Sequence, residues 1–283
     1  MAGHDYILRA AAPDAIGLLA DVATLVAQQG LSVTKSHDFA DLETGRFFIW
    51  QTFTAPAGFE RAGFERDLDQ LAKRRAMHWS LRRREDAPRA LVLVSKAEHC
   101  LIDLLYRARR GKLGAQIAAI VSNHETLRWH AGQHQIPFHH IPVTPETKPE
   151  AEAALLDCIA RYSADFVVLA RYMQVLSNGA ARSLEGRSIN IHHSALPSFK
   201  GARPYDQAHA RGVKLIGATA HYVTAELDEG PIIAQDAEAV DHLYSARDLA
   251  EKGRDLEARV LSRAVNAHAE GRVFLNGVRT VVF

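Results

Sequence analysis

Asn190 and His192 lie in the segment Ser188-Ile-Asn-Ile-His192, where polar side chains alternate with Ile189 and Ile191. Such alternation predicts a buried strand, and residues two apart on a strand project from one face. The amide and the imidazole would therefore stand side by side at the strand's end. Asp228 precedes Gly230-Pro231, a turn signal, before Ile232-Ile233 resumes a strand pattern. That places a carboxylate in a loop, where catalytic groups tend to lie. An amide donor, an imidazole and a carboxylate are the ingredients of general acid–base chemistry. Taken alone, Asn190 and His192 fit equally well as a buried Asn and a core His satisfied by backbone groups.

The elements that must position these groups are legible in outline. The chain has 283 residues, 47% hydrophobic and 24% charged, with a formal net charge of +1. It is long enough for one large domain, or for a small and a medium one. The balanced charge gives no case for nucleic acid or an anionic membrane surface, and no apolar run is long enough to span a bilayer. Two cysteines, Cys100 and Cys158, imply no disulfide framework. With no secretory leader pattern at the N-terminus, a reducing cytoplasm is the expected location.

Residues 1–86 read as a β-α-β-β-α-β module of ferredoxin-like order. Strand patterns occur at Tyr6–Ala10, Leu31–Lys35, Arg46–Phe53 and Trp79–Leu81. One helix carries Leu18, Leu19, Val22, Leu25 and Val26, and the other carries Phe64, Leu68 and Leu71. Arg82-Arg-Arg-Glu-Asp-Ala-Pro88 is a charged linker; without interleaved aromatics its arginines make a weak nucleic-acid patch. Residues 87–283 alternate strands with helices, beginning with the apolar run Arg89–Ser95, which predicts a mostly parallel sheet covered on both faces. Ligands of such sheets bind beyond the carboxyl ends of the strands, where His192 and the loop 170–176 would lie. The expected fold is α/β, a ferredoxin-like domain followed by a Rossmann-like one.

Three motifs carry a resemblance: Asn190-Ile-His192, Leu196-Pro-Ser-Phe-Lys-Gly201 and Leu227-Asp-Glu-Gly-Pro231. They resemble the formyltransferase fold that uses 10-formyltetrahydrofolate, and the stretch Ile189–Gln235 is most similar to its deformylase branch. That branch also shows Val94-Ser-Lys96 with His99-Cys-Leu101, Val121-Ser-Asn-His124, Ile136-Pro-Phe-His-His140 and Leu169-Ala-Arg-Tyr-Met-Gln-Val-Leu-Ser177. The resemblance spans nearly the whole chain. Residues 1–86 resemble an ACT domain through Ala12-Pro-Asp14, Gly17 and Gly45-Arg-Phe-Phe48. This implies a homo-oligomer, dimer or tetramer, and an amino-acid effector at a loop containing Asp14 and Gly17. Ala15-Ile16 and Leu31-Ser-Val33 depart from the ACT pattern beside that loop, so a packing module without a ligand stays open.

The deformylase resemblance implies hydrolysis of 10-formyltetrahydrofolate to formate and tetrahydrofolate, supplying formate for purine synthesis and balancing the folate pool. It makes Asn190 the amide donor, His192 the polarising or acidic group, and Asp228 the residue that orients water and shuttles a proton. The folate would lie against Leu169, Tyr172, Met173, Val175 and Leu176, with the backbone of Ala225, Glu226 and Leu227 reading the pterin edge. Without the motif, Met173 and its neighbours fit a plain core. No cofactor is implied; 10-formyltetrahydrofolate is the substrate, and neither nucleic acid nor membrane is a partner.

Two other function classes use the same three polar groups. A formyl transferase acting on an amine, a sugar nucleotide or a tRNA is one; a catalytically idle folate- or effector-binding regulator is the other. No glycine-rich phosphate cradle follows Ser95, which argues against a phosphorylated amine as acceptor. The 15 histidines raise the question of a metal. His139-His140 and His192-His193 are adjacent pairs expected on opposite strand faces, a poor chelating geometry, and there is no His-Glu-x-x-His. Lys200-Gly201 fits either a substrate contact or a solvated turn.

Overall fold

The computed structural model describes residues 3–193 and 204–283. The chain forms two compact units, one of Met1–Ala87 with Glu270–Asn276 and Val281–Phe283, the other of Pro88–Ala269 with Gly277–Thr280.

The first unit is built from strand β1 (His4–Pro13), helix α1 (Leu18–Gln28), strands β2 (Ser32–Asp41) and β3 (Arg46–Ala55), helix α2 (Arg61–Arg75) and strand β4 (His78–Arg83). The strands pair antiparallel in the order β2-β3-β1-β4, a ferredoxin-like sheet. Alternation along β1 sends Tyr6, Leu8, Ala10 and Ala12 into one core with Val22, Leu25, Phe64 and Leu68 of the helices. Ile7 goes to the opposite face, where it clusters with Phe48, Trp50 and Phe274.

Phe274 comes from the C-terminal end of the chain, which the sequence reading assigned to the larger domain with the rest of 87–283. Residues 270–276 and 281–283 instead belong to the first unit. The cause is the second apolar face of the sheet. Phe48 and Trp50 need cover, and burying one large apolar side chain is worth about 1.5–3 kcal/mol. The indole N–H of Trp50 also donates to the Glu270 carbonyl at 2.9 Å.

The second unit contains strand β5 (Arg89–Val94), helix α3 (His99–Arg109), strand β6 (Gln116–Ser122), helix α4 (Arg128–Gln133), strand β7 (Phe138–His140), helix α5 (Lys148–Arg161) and strand β8 (Phe166–Leu169). Helix α6 (Asn178–Ser183), strand β9 (Ser188–His192), helix α7 (Pro204–Ala210), strands β10 (Leu215–Tyr222) and β11 (Ile232–Ala239) and helix α8 (Ala246–Ala269) follow. The chain ends in a two-stranded ribbon of strands β12 (Val273–Asn276), which belongs to the first unit, and β13 (Arg279–Val282).

Seven strands form one sheet in the order β11-β10-β9-β8-β5-β6-β7. The pairings from β9 through β7 are parallel, and β10 and β11 join antiparallel at one edge. From β5 the chain goes to β6 on one side and later to β8 on the other, so the sheet has a switch point there. One face packs Leu91, Leu93, Val121, Val167 and Leu169 against Leu155 and Ile159 of α5 and Ala180 and Ala181 of α6. Helix α8, the longest and not among the elements expected above, buries Leu249, Leu256, Val260, Leu261, Ala264 and Val265, which recur at helical spacing. No helix among the described residues is long and apolar enough to cross a membrane.

Candidate functional site

Ile189 and Ile191 are buried in the sheet while Asn190 and His192 share the other face, as the period-2 pattern requires. Both polar residues line a cavity of about 390 Å³ at the carboxyl ends of β8 and β9. The segment after β8 contributes Leu169, Tyr172, Met173, Val175 and Leu176; the loop between β10 and β11 contributes Ala225, Glu226, Leu227 and Asp228. All eight residues expected to hold a folate therefore border one cavity with the three expected to do chemistry. A core role for Met173 is excluded: it is 64% exposed, and Leu227 is 63% exposed. The loop after β8 is pinned at several points. The Ala170 N–H donates to the Leu93 carbonyl at 2.8 Å, the Met173 N–H to Ser95 Oγ at 2.9 Å, and the Ser177 N–H to Glu152 at 2.7 Å.

Asp228 reaches the strand residues because its loop folds back onto β10. His192 Nδ1 lies 3.2 Å from Asp228 Oδ2, and Asn190 Nδ2 lies 3.5 Å from Oδ1. Asp228 has φ +58°, a left-handed conformation that costs a non-glycine residue energy and that Asp tolerates better than most. Gly230 makes the return possible. A Cβ there would stand 1.7 Å from the Tyr222 carbonyl oxygen, so only glycine fits.

A fourth group, His221, completes the cluster and was not singled out from the sequence. It pairs directly opposite Asn190 across the β9–β10 ladder. The β10–β11 register shifts between Ala220 and His221, an irregularity of the kind that re-aims a side chain beside a site. His221 Nδ1 lies 2.9 Å from the Tyr222 carbonyl, which can only accept, so Nδ1 carries the proton. Its Nε2 faces Asn190 Nδ2 at 3.3 Å and Asp228 Oδ1 at 3.6 Å.

The neighbouring His192 and then His221 outweigh partial burial and hold the Asp228 carboxyl well below the usual range, so it is ionised at every ordinary pH. An anionic Asp228 requires a donor from His192, which puts a proton on Nδ1. His192 Nε2 is then the remaining ring nitrogen, buried and without a hydrogen-bond partner among the described residues. The arrangement offers an amide, an imidazole and a base around one point, with an apolar slot beside them.

His192 and His193 were expected on opposite faces, and the structure corrects this. Their rings stack with centroids 4.6 Å apart at 24°, because His193 lies beyond the end of β9 where strand alternation no longer applies. Arg171 NH1 lies 3.3 Å from His193 Nδ1, and Arg171 Nε lies 3.3 Å from Glu257 Oε2. Glu257, on α8 and 1% exposed, also meets His99 Nε2 at 2.7 Å and accepts from the Tyr205 hydroxyl at 3.2 Å. Burial opposes its charge, yet His99 and Arg171 prevail and keep it below the ordinary glutamate value. Neither Arg171 nor Glu257 stands out in the sequence, because a loop supplies one and the distant helix α8 the other.

One trio of possible metal ligands, His99, Cys100 and Glu257, comes together among the described residues. Glu257 is already balanced by His99 and Arg171, and burial pushes the Cys100 thiol well up, away from the thiolate that a metal takes. In the first unit, Asp14 and Gly17 share the exposed turn between β1 and α1. The Asp14 N–H donates to the Gly45 carbonyl at 2.8 Å, and Gly17 has φ +86°. Leu196–Gly201, with Lys200, lies outside the described residues.

The family model described as formyl transferase matches residues 88–265. A formyltetrahydrofolate deformylase of Corynebacterium sp. (strain P-1) is 47% identical over 98% of this chain and 97% of its own. The solved structure of a formyltetrahydrofolate deformylase from Burkholderia mallei superposes with a TM-score of 0.95 at 48% identity, covering 99% of both chains. One from Pseudomonas putida KT2440 gives 0.94 at 48%, covering 99% of this chain and 100% of the other.

Proposed function

The chain belongs to the formyl transferase family, and we propose from that premise that it hydrolyses 10-formyltetrahydrofolate to formate and tetrahydrofolate. It is then a hydrolase of a linear amide C–N bond. The observation that carries the chemistry is the contact of His192 Nδ1 with the ionised Asp228 at 3.2 Å, beside Asn190 in one cavity.

Water attack on the formyl carbon puts negative charge on the formyl oxygen. Asn190 Nδ2–H and, once the ring carries a proton on both nitrogens, His192 Nε2–H stabilise that oxygen, each such donor being worth about 3–4 kcal/mol in a preorganised site. Asp228 takes a proton from the attacking water, and that proton ends on N10 of the folate as the C–N bond breaks. His221, with its Nδ1–H spent on Tyr222, accepts from Asn190 Nδ2–H through Nε2 and so orients the amide. Leu169, Tyr172, Met173, Val175 and Leu176 form the apolar wall for the folate ring, and the backbone of Ala225 to Leu227 its polar edge. No cofactor enters the reaction.

The first unit acts as a regulatory and oligomerisation module, with β2 exposed along nearly its whole length as an edge for a second copy. The Asp14–Gly17 turn is its effector loop. The free, buried thiols of Cys100 and Cys158 suit a reducing cytoplasm.

The test is release of formate and tetrahydrofolate from 10-formyltetrahydrofolate by the pure protein, without an amine, alongside Asp228→Asn. Turnover by the wild type alone supports the reading. Turnover only after an amine is added makes the protein a transferase, and silence in both leaves binding without catalysis.

A further inference from the structure

His193 has one definable protonation state. The Arg171 guanidinium carries donors only, so the ring nitrogen that faces it at 3.3 Å, Nδ1, must accept. The neutral ring then bears its hydrogen on Nε2. Arg171 cannot turn away easily, because its charge is tied to Glu257, which is itself held by His99 and Tyr205. Among the described residues the His193 Nε2 is buried and without a hydrogen-bond partner, on a residue that lines the catalytic cavity and stacks on His192. Buried donors are rarely left unmatched, and an unmatched one beside reacting groups marks a place for a ligand atom. Full protonation of His193 is opposed by burial and by the neighbouring His192 and Arg171.

We propose that His193 selects water over an amine as the attacking group. The inference rests on the hydrolase reading above. A water oxygen has two lone pairs, one to attack the formyl carbon and one to accept from His193 Nε2–H. Its two hydrogens remain, one for Asp228 and one for solvent or the cavity wall. A neutral amine has a single lone pair, which the attack consumes, so the same Nε2–H meets only N–H groups. The donor therefore stabilises one nucleophile and repels the other. In the hydrolytic step the water oxygen bonds to the formyl carbon and the C–N10 bond breaks. One water proton reaches N10 through Asp228, and the other is lost to solvent as formate leaves as the anion.

The experiment compares wild type, His193→Phe and His193→Gln with 10-formyltetrahydrofolate, with and without 2,2,2-trifluoroethylamine, a small amine that is neutral at pH 7.5 and has no oxygen to accept a hydrogen bond. Phe keeps a ring against His192 without the donor; Gln keeps a donor of similar reach. Hydrolysis by His193→Phe is expected to fall about 100-fold in kcat, the cost of a misplaced reactant, with KM within about twofold. The share of formyl groups captured by trifluoroethylamine is expected to rise, and His193→Gln should recover most of the hydrolysis and the wild-type product split. If His193→Phe lowers the thermal midpoint, His193→Ala against His193→Gln makes the same comparison without a bulky ring. Wild-type hydrolysis by the donor-less variants, or a product split that does not change, overturns the proposal. Absence of formate release by the wild type overturns the hydrolase reading itself.

Discussion

Gly230 rests against the Tyr222 carbonyl so closely that a Cβ would lie 1.7 Å from the oxygen. That contact seats the loop whose Asp228 reaches His192. Gly230→Ala must push the loop off β10 and carry the carboxylate with it. A displacement near 1 Å at a reacting group costs about 100-fold in rate. Steady-state kinetics should show a fall in kcat of that order, while circular dichroism keeps the wild-type α/β signal.

Asp228→Asn should abolish hydrolysis and leave folate binding within about threefold, because the apolar wall is untouched. Equilibrium binding of a non-hydrolysable folate analogue, measured beside turnover, separates the two. Binding that falls as far as turnover would contradict a role confined to the chemical step.

The same residue predicts a pH dependence of stability. Asp228 is held below its unfolded value by His192 and His221, so between the folded and unfolded pKa values the unfolded chain binds more protons. Its contribution is complete above about pH 5 and is lost progressively as pH falls through about 4 and below. Thermal midpoints from pH 3 to 6 should fall more steeply with acid in wild type than in Asp228→Asn. Parallel curves would show that the native and unfolded carboxyls titrate alike.

Ser95 Oγ accepts from the Met173 N–H at 2.9 Å and donates to Asn123 Oδ1 at 2.6 Å, the second bond fully buried. Ser95→Ala leaves the Met173 N–H unmatched and loosens the cavity wall. KM for the folate should rise several-fold with kcat changed less than twofold, since none of the reacting groups moves. An equal drop in kcat with KM unchanged would place Ser95 in the chemistry instead.

Phe274 is buried against Phe48 and Trp50 on the second face of the first unit's sheet. Phe274→Ala should cost about 3–5 kcal/mol. Denaturant unfolding followed by tryptophan fluorescence should show the midpoint shift, with the kinetics of the remaining folded protein unchanged at low temperature.

Much of this site is written in local pattern. Ile189 and Ile191 alternate with Asn190 and His192, so strand geometry alone sets the amide beside the imidazole. Asp228 before Gly230-Pro231 identified a turn carboxylate, and the motif resemblance joined it to the pair. The parallel sheet followed from apolar runs at β5 and β8 alternating with helical segments. Each of these depends on residues close in sequence.

Other relationships depend on which segments meet. His221 joins the cluster only because β10 pairs with β9 in a register that sets it opposite Asn190. Glu257 matters only because α8 brings it to Arg171, His99 and Tyr205, three residues from three other segments. The stacking of His193 on His192 required the strand to end, which no alternation pattern signals in advance. The return of residues 270–276 to the first unit likewise depended on an apolar sheet face that needed cover. Periodicity decides which way a side chain points from its own element. Register, strand ends and long-range burial decide what it finds there, because those energies exist only once distant segments have come together.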